Sequence, residues 1–169
     1  QNLGSEIYVL PEMFATGFSN EVVKLGECID GETVASLKYM AAKYDAAICG
    51  SMILQDAGKY YNSFVFVTPQ AEVFHYEKRH LLGFGGETDM FESGKNRVIV
   101  DYKCFRILLQ VCYDLRFPVW SRNRNDYDII FYVANWPKTR QFAFDTLLRA
   151  RAIENQAFVV GVNRVGTDA

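Results

Sequence analysis

The chain has 169 residues, of which 50% are hydrophobic and 15% aromatic, enough to bury the core of one domain. Its 18 basic and 20 acidic residues give a net charge of -2, and no long basic run offers a surface for nucleic acid or an anionic membrane. No apolar run reaches the roughly 18 residues that cross a bilayer, and no signal-peptide pattern is found at the start. We therefore expect a cytoplasmic protein whose partner is a small molecule.

The first half of the chain predicts a strand, a helix and an antiparallel meander. EIYVLPEM predicts a strand that ends near Pro11. From Thr33 onward, apolar residues recur at spacings of three and four, which predicts an amphipathic helix: Val34, Leu37, Met40, Ala41 and Tyr44. AAICGSMIL, YYNSFVFVTP and AEVFHYEK then predict three strands, separated by turn residues at 56–59 and 69–70.

The second half predicts a long loop, a hairpin and a strand–helix–strand unit. Residues 79–96 contain four glycines and no sustained period, which is typical of a functional loop. RVIVDY and FRILLQVC predict a hairpin that turns at Lys103 and Cys104. YDIIFYVAN and AFVVGVN predict two more strands, separated by a helix over 139–156 with apolar positions at Leu147, Leu148 and Ile153. This alternation predicts an α/β or layered α-β sandwich fold in a single domain, residues 1–169.

Three residues with reactive side chains follow predicted strands. Glu12 follows the first strand in LPEMF, Lys78 follows the meander in YEKRHLL, and Cys112 ends a strand in LLQVCYD. Loops at the carboxyl ends of strands form the ligand crevice in α/β folds. A thiol beside a carboxylate that takes its proton, with an ammonium to balance charge, is a nucleophile. Taken singly, Glu12 and Lys78 are ordinary surface charges and Cys112 an ordinary core residue.

Together these segments resemble the carbon-nitrogen hydrolase family, also called the nitrilase superfamily. LPEMFATGF is similar to the family's glutamate motif, YEKRHL to its lysine motif and VCYDLRFP to its cysteine motif, in the same order. LLRARAIENQAFVVGVNRVG resembles the family helix that packs behind the active site and contributes to subunit contacts. YVANWP and ENQAFVVGVNRVG look most like the omega-amidase branch. The resemblance implies an α-β-β-α sandwich, which assembles into a homodimer.

The resemblance also implies roles for the three residues. Cys112 would attack an amide carbon to form a thioester, and Glu12 would act as general base and then protonate the departing ammonia. Lys78 and the backbone N–H of Tyr113 would stabilise the tetrahedral oxyanion. The family commonly has a second glutamate eight or nine residues after the lysine. Glu87 holds that place here, and Glu92 is a nearby competitor.

Further residues are candidates for bracing the site or binding substrate. Asp114 and Arg116 are expected to pair and brace the cysteine turn, with substrate contact by Arg116 as the alternative. Trp136 follows a strand and either walls the pocket or belongs to a core or interface. The omega-amidase resemblance implies terminal amides of short dicarboxylic 2-oxo acids, whose distal carboxylate needs a cation. The candidates are Arg116, Lys138 and Arg140, with Tyr113 and Trp136 shaping the walls.

Other kinds of chemistry fit the sequence less well. The four cysteines include no CxxC pair, so neither a zinc site nor a disulfide framework is indicated. His75 and His80 both precede Cys112, whereas the Cys-His-Glu arrangement of class I glutamine amidotransferases needs a downstream histidine. The glycines of GFGGET do not lead from a strand into a helix, as dinucleotide binding requires. We expect no cofactor and no metal.

Two alternatives to an amidase stay open at this point: a catalytically silent binding or scaffold protein on the same fold, and an acyltransferase that uses the same thioester. The resemblance also departs at both ends of the chain. Family members usually have a strand and helix before the LPEMF strand and further strands after NRVG. We therefore expect the sequence to be part of a longer chain.

Overall fold

The computed structural model describes residues 4–166, which form two four-stranded β-sheets flanked by helices. The predicted domain bounds, residues 1 and 169, lie outside the described residues. The first sheet has the order β1-β2-β3-β4: Ile7–Val9, Ala47–Asp56, Lys59–Val67 and Val73–Glu77. The second has the order β5-β6-β7-β8: Ile99–Tyr102, Phe105–Val111, Ile129–Ala134 and Phe158–Asn163.

Within residues 4–166, five α-helices connect or cover these strands. They are α1 to α5 in chain order: Val22–Leu25, Glu32–Tyr44, Glu87–Met90, Pro118–Ser121 and Gln141–Asn155. Three 3-10 turns lie at Gly83–Gly85, Cys112–Arg116 and Lys138–Arg140. Among residues 4–166 no helix is long and apolar enough to cross a membrane.

The first sheet contains the predicted antiparallel meander. β2 and β3 pair antiparallel up to Asp56 and Lys59, and the two residues between them, Ala57 and Gly58, have φ of 46° and 77°. Positive φ at both central residues gives a two-residue turn whose twist matches that of the strands. β4 pairs antiparallel with β3, and β1 adds to β2 in parallel. The meander prediction is therefore confirmed.

The second sheet begins with the predicted hairpin and continues in parallel. β5 and β6 meet at the Tyr102–Phe105 pair, and the chain turns between them at Lys103, whose φ is 55°. β6, β7 and β8 run parallel, and α5 forms the crossover from β7 to β8. As a result, the carboxyl ends of these three strands lie along one edge.

Side chains of both sheets form one core between them. Phe66 of β3 and Tyr102 of β5 meet edge to face, with ring centroids 5.4 Å apart. On the outer side of the first sheet, α2 packs through Leu37 and Ala41. On the second sheet, α5 packs through Phe144. The layers therefore follow the order α-β-β-α, which confirms the predicted sandwich.

Two helix predictions differ from the structure in detail. α2 buries three of the five predicted apolar positions, whereas Met40 is 36% exposed. α5 begins at Gln141 rather than 139, because the residues before it form a 3-10 turn. Ile153 of α5 is 77% exposed and does not belong to the packed face of the helix. The predicted loop over 79–96 contains the Gly83–Gly85 turn and α3.

Candidate active site

The glutamate loop after β1 directs Glu12 into the interior. Met13 has a φ of 48°, which reverses the chain directly after Glu12. The Met13 N–H donates to Ser51 Oγ at 3.0 Å, and the Phe14 N–H donates to the Ser51 carbonyl at 3.1 Å. Ser51 lies on β2 and is fully buried. The central strand of the first sheet therefore holds the loop that presents Glu12.

Cys112 lies at a sharp turn directly after β6. Its φ of 43° is in the left-handed region that non-glycine residues rarely adopt, which indicates a conformation held by its surroundings. Asp114 braces this turn, since its Oδ2 accepts the Val111 N–H at 3.0 Å and the Tyr76 hydroxyl at 2.8 Å. Its Oδ1 accepts the His80 N–H at 2.9 Å. The turn is thereby tied to both sides of the lysine segment.

Lys78 follows β4 and forms two buried ion pairs. Its Nζ lies 2.9 Å from Glu12 Oε1 and 2.8 Å from Glu87 Oε2, and all three side chains are at most 1% exposed. Glu87 belongs to α3 and also accepts the Leu82 N–H at 2.7 Å. The far end of the loop over 79–96 is also fixed to the lysine, because the Gly94 N–H donates to the Lys78 carbonyl at 2.9 Å.

Burial and charge set the protonation of these groups. Burial alone would raise the pKa of Glu12, but the Lys78 ammonium and hydrogen bonding by Cys112 and the Asn135 N–H outweigh burial and hold this pKa below the ordinary value for a glutamate. Burial, and secondarily the charge of Glu12, raise the pKa of the Cys112 thiol well above its ordinary range. Burial disfavours the Lys78 ammonium, but Glu12 and Glu87 outweigh it and raise the pKa of Lys78. The site thus combines a carboxylate, an ammonium and a neutral thiol.

A cavity of about 660 Å³ opens onto Lys78 and Cys112. Trp136 lines it and is 6% exposed, with the Arg116 guanidinium stacked 5.2 Å from its ring centroid. Arg140 also lines the cavity, with its guanidinium 4.6 Å from the Phe84 centroid. Among residues 4–166, no carboxylate lies within 4 Å of Arg116 or Arg140 in an ion pair. The mouth of the cavity is therefore positively charged.

The structure brings together Glu12, Lys78, Glu87 and Cys112. Tyr113, Arg116 and Trp136 line the same cavity. Two other candidates lie elsewhere. Glu92 forms an exposed pair with Lys59 at 3.4 Å, and Lys138 does not line the cavity.

The predicted pairing of Asp114 with Arg116 is wrong. Asp114 is fully buried, and the groups that donate to it are Val111, Tyr76 and His80. Arg116 is exposed at the cavity mouth, because the 3-10 turn points it away from the buried carboxylate and toward Trp136. Asp114 nevertheless braces the cysteine turn, as expected. Its two distant partners, Tyr76 and His80, come from β4 and the following loop, which spacing along the chain does not reveal.

Two contacts of the site were not identified from the sequence. Asn62 of β3 donates its side-chain amide to Glu12 and Glu87, and the Asn135 backbone N–H donates to Glu12. A signal for Asn62 exists in the meander, because pairing YYNSF against HYEK puts Asn62 beside Lys78. No comparable signal exists for Asn135, because its contact joins the two sheets.

Comparisons with known proteins agree with this arrangement. The family model for carbon-nitrogen hydrolases matches residues 1–169. Omega-amidase YafV of Escherichia coli is 48% identical over 165 residues, which cover 98% of this chain and 64% of that protein. The 2-oxoglutaramate amidase of Bacillus subtilis is 30% identical over 171 residues, covering 97% of this chain and 65% of that protein. The chain thus spans less than two thirds of the length of these relatives.

A solved structure shows the same fold at similar identity. The crystal structure of a CN-hydrolase superfamily protein from Xanthomonas campestris, with an arsenic adduct in its active site, has a TM-score of 0.94 and 47% identity. The match covers 97% of this chain and 65% of the Xanthomonas campestris chain. The match of the family model over the whole sequence, at this level of identity to relatives, shows that the chain belongs to the carbon-nitrogen hydrolase family.

Proposed function

We propose that this chain is an amide hydrolase in which Cys112 is the nucleophile, Glu12 the general base and acid, and Lys78 the oxyanion donor. One observation carries the proposal: the Cys112 side chain and Lys78, whose ammonium lies 2.9 Å from the Glu12 carboxylate, line the same substrate-sized cavity.

The first half-reaction forms the thioester and releases ammonia. Because burial raises the pKa of Cys112, the thiol is neutral at rest and Glu12 takes its proton as sulfur attacks the amide carbon. The C–S bond forms while the carbonyl oxygen gains the negative charge, which Lys78 Nζ and the Tyr113 N–H stabilise. Glu12 then returns the proton to the amide nitrogen, the C–N bond breaks, and ammonia leaves.

The second half-reaction hydrolyses the thioester. Glu12 is again a carboxylate and takes a proton from water as the water oxygen attacks the acyl carbon. The same oxyanion donors stabilise the second tetrahedral intermediate. The C–S bond then breaks, and the sulfur recovers its proton from Glu12. One amide and one water are converted into one acid and one ammonia.

Glu87 has a positioning role in this proposal. Both of its oxygens lie within 2.9 Å of Lys78 Nζ, and the Leu82 N–H holds the carboxylate in place. Lys78 is therefore fixed between two acids, with limited freedom to leave the oxyanion position. The charge of Glu87 also favours the ammonium form of Lys78.

The substrate we propose is the ω-amide of a short dicarboxylic 2-oxo acid. The guanidinium groups of Arg116 and Arg140 at the mouth of the cavity support this, because they can pair with a carboxylate at the end distant from the amide. The Escherichia coli and Bacillus subtilis relatives, an omega-amidase and a 2-oxoglutaramate amidase, point to the same class.

A panel of short amides, assayed for ammonia with and without an added amine, tests the activity. We expect ammonia release from ω-amides that carry a free distal carboxylate, at a rate independent of the amine. Product formed mainly with the amine would instead indicate the acyltransferase. No ammonia and no acyl adduct on Cys112 with any amide would indicate the silent scaffold.

We also propose a homodimer that uses the exposed apolar residues of α5 and β8. Phe142, Ile153 and Phe158 are 85%, 77% and 72% exposed, and burying them against a second copy would remove this apolar surface from water. Light scattering coupled to size exclusion measures the mass in solution. We expect a dimer that Phe158→Asp dissociates. A monomeric parent protein would refute this assembly.

A further inference from the structure

Asn62 lies fully buried between the two carboxylates that flank Lys78. Its Nδ2 is 2.9 Å from Glu12 Oε1 and 3.0 Å from Glu87 Oε1. An amide nitrogen has two N–H groups, so both are used on acids. Asn62 is therefore a neutral bridge between the two carboxylates.

Strand pairing holds this bridge beside Lys78. Ser63 pairs with Glu77 across β3 and β4, and at the next position the Lys78 N–H donates to the Asn62 carbonyl at 2.9 Å. On the other side, Asn62 pairs with Ile53 of β2. Because β3 is an inner strand, bonded on both sides, the backbone of Asn62 has little freedom to move.

The two acids determine the orientation of the amide. If the amide were reversed, its oxygen would face two carboxylate oxygens, which is repulsive. In the observed orientation, Asn62 Oδ1 is buried and has no hydrogen-bond partner among residues 4–166. A buried acceptor without a partner is destabilising. The contacts to Glu12 and Glu87 offset this cost.

Asn62 also compensates an imbalance of charge. Its amide contacts Glu12 and Glu87, Lys78 lies between these acids, and the Cys112 thiol faces Glu12 and Lys78, so the cluster holds two carboxylates, one ammonium and a neutral thiol. Two buried acids with a single cation between them are disfavoured in the ionised state. Hydrogen bonds from a neutral amide favour the ionised carboxylates without adding a competing charge.

The contacts of Glu12 differ between its two oxygens. Oε1 accepts from Lys78 Nζ and Asn62 Nδ2, which occupies both of its lone pairs. Oε2 accepts the Asn135 N–H at 2.8 Å, which leaves it one lone pair. Among the hydrogen bonds of residues 4–166, Oε2 is thus the oxygen with capacity to take a proton.

We propose that Asn62 is a positioning residue, which occupies Glu12 Oε1 so that the carboxylate stays ionised and exchanges the reaction's proton on Oε2. The inference rests on the proposed function of Glu12 and Cys112. It adds a residue from the interior of a strand, outside the three motifs, to the machinery that prepares the base.

The test compares Asn62→Leu, which keeps the size and removes both donors, with Asn62→Ser, which keeps one short donor. Ser63→Ala is the matched control, because Ser63 is the next residue on β3, is fully buried and has no hydrogen-bond partner for its Oγ among the described residues. For each variant, kcat/KM for an ω-amide is measured across pH, together with the midpoint of thermal unfolding.

We expect Asn62→Leu to lower kcat/KM by about tenfold or more near neutral pH, as loss of a hydrogen bond to a charged group does. The acid limb of its profile should move to higher pH, so that raising the pH recovers part of the rate. Asn62→Ser should lie between Asn62→Leu and the parent. Ser63→Ala should keep the acid limb of the parent.

A readout without turnover separates this inference from the proposed function. The rate at which iodoacetamide alkylates Cys112 also depends on a base that takes the thiol proton, and it should show the same shift with pH in Asn62→Leu. If no amide is hydrolysed by the parent, the proposed function fails while the alkylation profile still decides the role of Asn62. An acid limb unchanged in both Asn62 variants, or an equal loss at every pH, would overturn the inference.

Discussion

The Asn135 backbone N–H donates to Glu12 Oε2 at 2.8 Å, although 123 positions separate the two residues. Glu12 follows β1 of the first sheet, and Asn135 follows β7 of the second. The geometry of the base therefore depends on the packing of the two sheets against each other. Glu12, Lys78 and Cys112 come from three separate strand ends, and this contact aligns the first of them with the opposite sheet.

Replacing the nucleophile should abolish turnover and leave the fold intact. We expect Cys112→Ala to lose activity by about 10⁴-fold or more, because no other group at this position forms the thioester. Cys28→Ser is the control, since Cys28 is exposed and lies outside the cavity. Mass spectrometry of the parent with a poor substrate should find the acyl adduct on Cys112. Substantial ammonia release by the purified mutant would contradict the assignment.

Removing the buried cation should reduce the rate and change the response to pH. We expect Lys78→Met to lose about 10² to 10³ in kcat, the usual effect of one missing oxyanion donor. The mutant also leaves Glu12 and Glu87 facing each other without an ammonium, so the pair should bind a proton. Its stability relative to the parent should therefore improve as the pH falls, which chemical denaturation at several pH values measures. A difference in unfolding free energy between mutant and parent that does not change with pH would argue against proton uptake by the Glu12–Glu87 pair.

The acid limb of kcat/KM should lie below pH 4.5. Burial would raise the pKa of Glu12, but Lys78 and the hydrogen bonds to its carboxylate outweigh burial and lower the pKa below the ordinary glutamate value of 4.5, so the base remains ionised at that pH. The same shift affects stability. Because the pKa of Glu12 is lower in the folded than in the unfolded state, its ionisation stabilises the fold at pH values above the unfolded-state pKa. This contribution is lost as the pH falls through the folded-state pKa. The gap in unfolding free energy between the parent and Glu12→Gln should hence narrow below pH 4.5.

The cavity mouth should select substrates by their distal charge. We expect Arg116→Met to reduce kcat/KM for the free-carboxylate ω-amide by about 10 to 100-fold, as loss of a hydrogen bond to a charged group does. The methyl ester of the same substrate should be affected little. Lys138→Met is the matched control, because Lys138 is an exposed cation that does not line the cavity. Equal losses for acid and ester would remove Arg116 from the carboxylate site and leave the Cys112 assignment untouched.

Gly94, whose N–H donates to the Lys78 carbonyl, should not tolerate a side chain. A Cβ at Gly94 would lie 2.0 Å from the Glu77 carbonyl oxygen, which is backbone and cannot move aside. We expect Gly94→Ala to destabilise the fold by about 1 to 3 kcal/mol, the range for overpacked sites. Gly83→Ala is the control, because the nearest atom to its Cβ would be 3.8 Å away. Equal unfolding midpoints for both variants would show that the loop relaxes freely.

Local pattern alone predicted much of the fold. The period of apolar residues identified the meander, the hairpin and both long helices, because the spacing of buried side chains follows from the geometry of each element. Turn residues located the chain reversals at 56–59 and at Lys103. The three reactive residues could also be found, since each directly follows a strand and motif order supports them. Each of these features is set by residues that are close together in the sequence.

The choice between similar residues required the tertiary structure. Glu87 and Glu92 both lie in the loop after Lys78, but only Glu87, on α3, reaches the ammonium. Arg116 and Lys138 both follow strand ends, but only Arg116 lines the cavity. In each pair the other residue, Glu92 or Lys138, is exposed instead, which only the folded structure reveals.

The sequence by itself determined which residues end strands and which carry reactive groups, because backbone period and side-chain chemistry are local properties. Only the tertiary structure decided how the buried charges are shared. Asn62 reaches both acids through strand register, Asn135 reaches Glu12 across the interface between the sheets, and Asp114 is held by β4 rather than by Arg116. Buried polar groups must find partners wherever the fold brings them, and those partners lie far away along the chain.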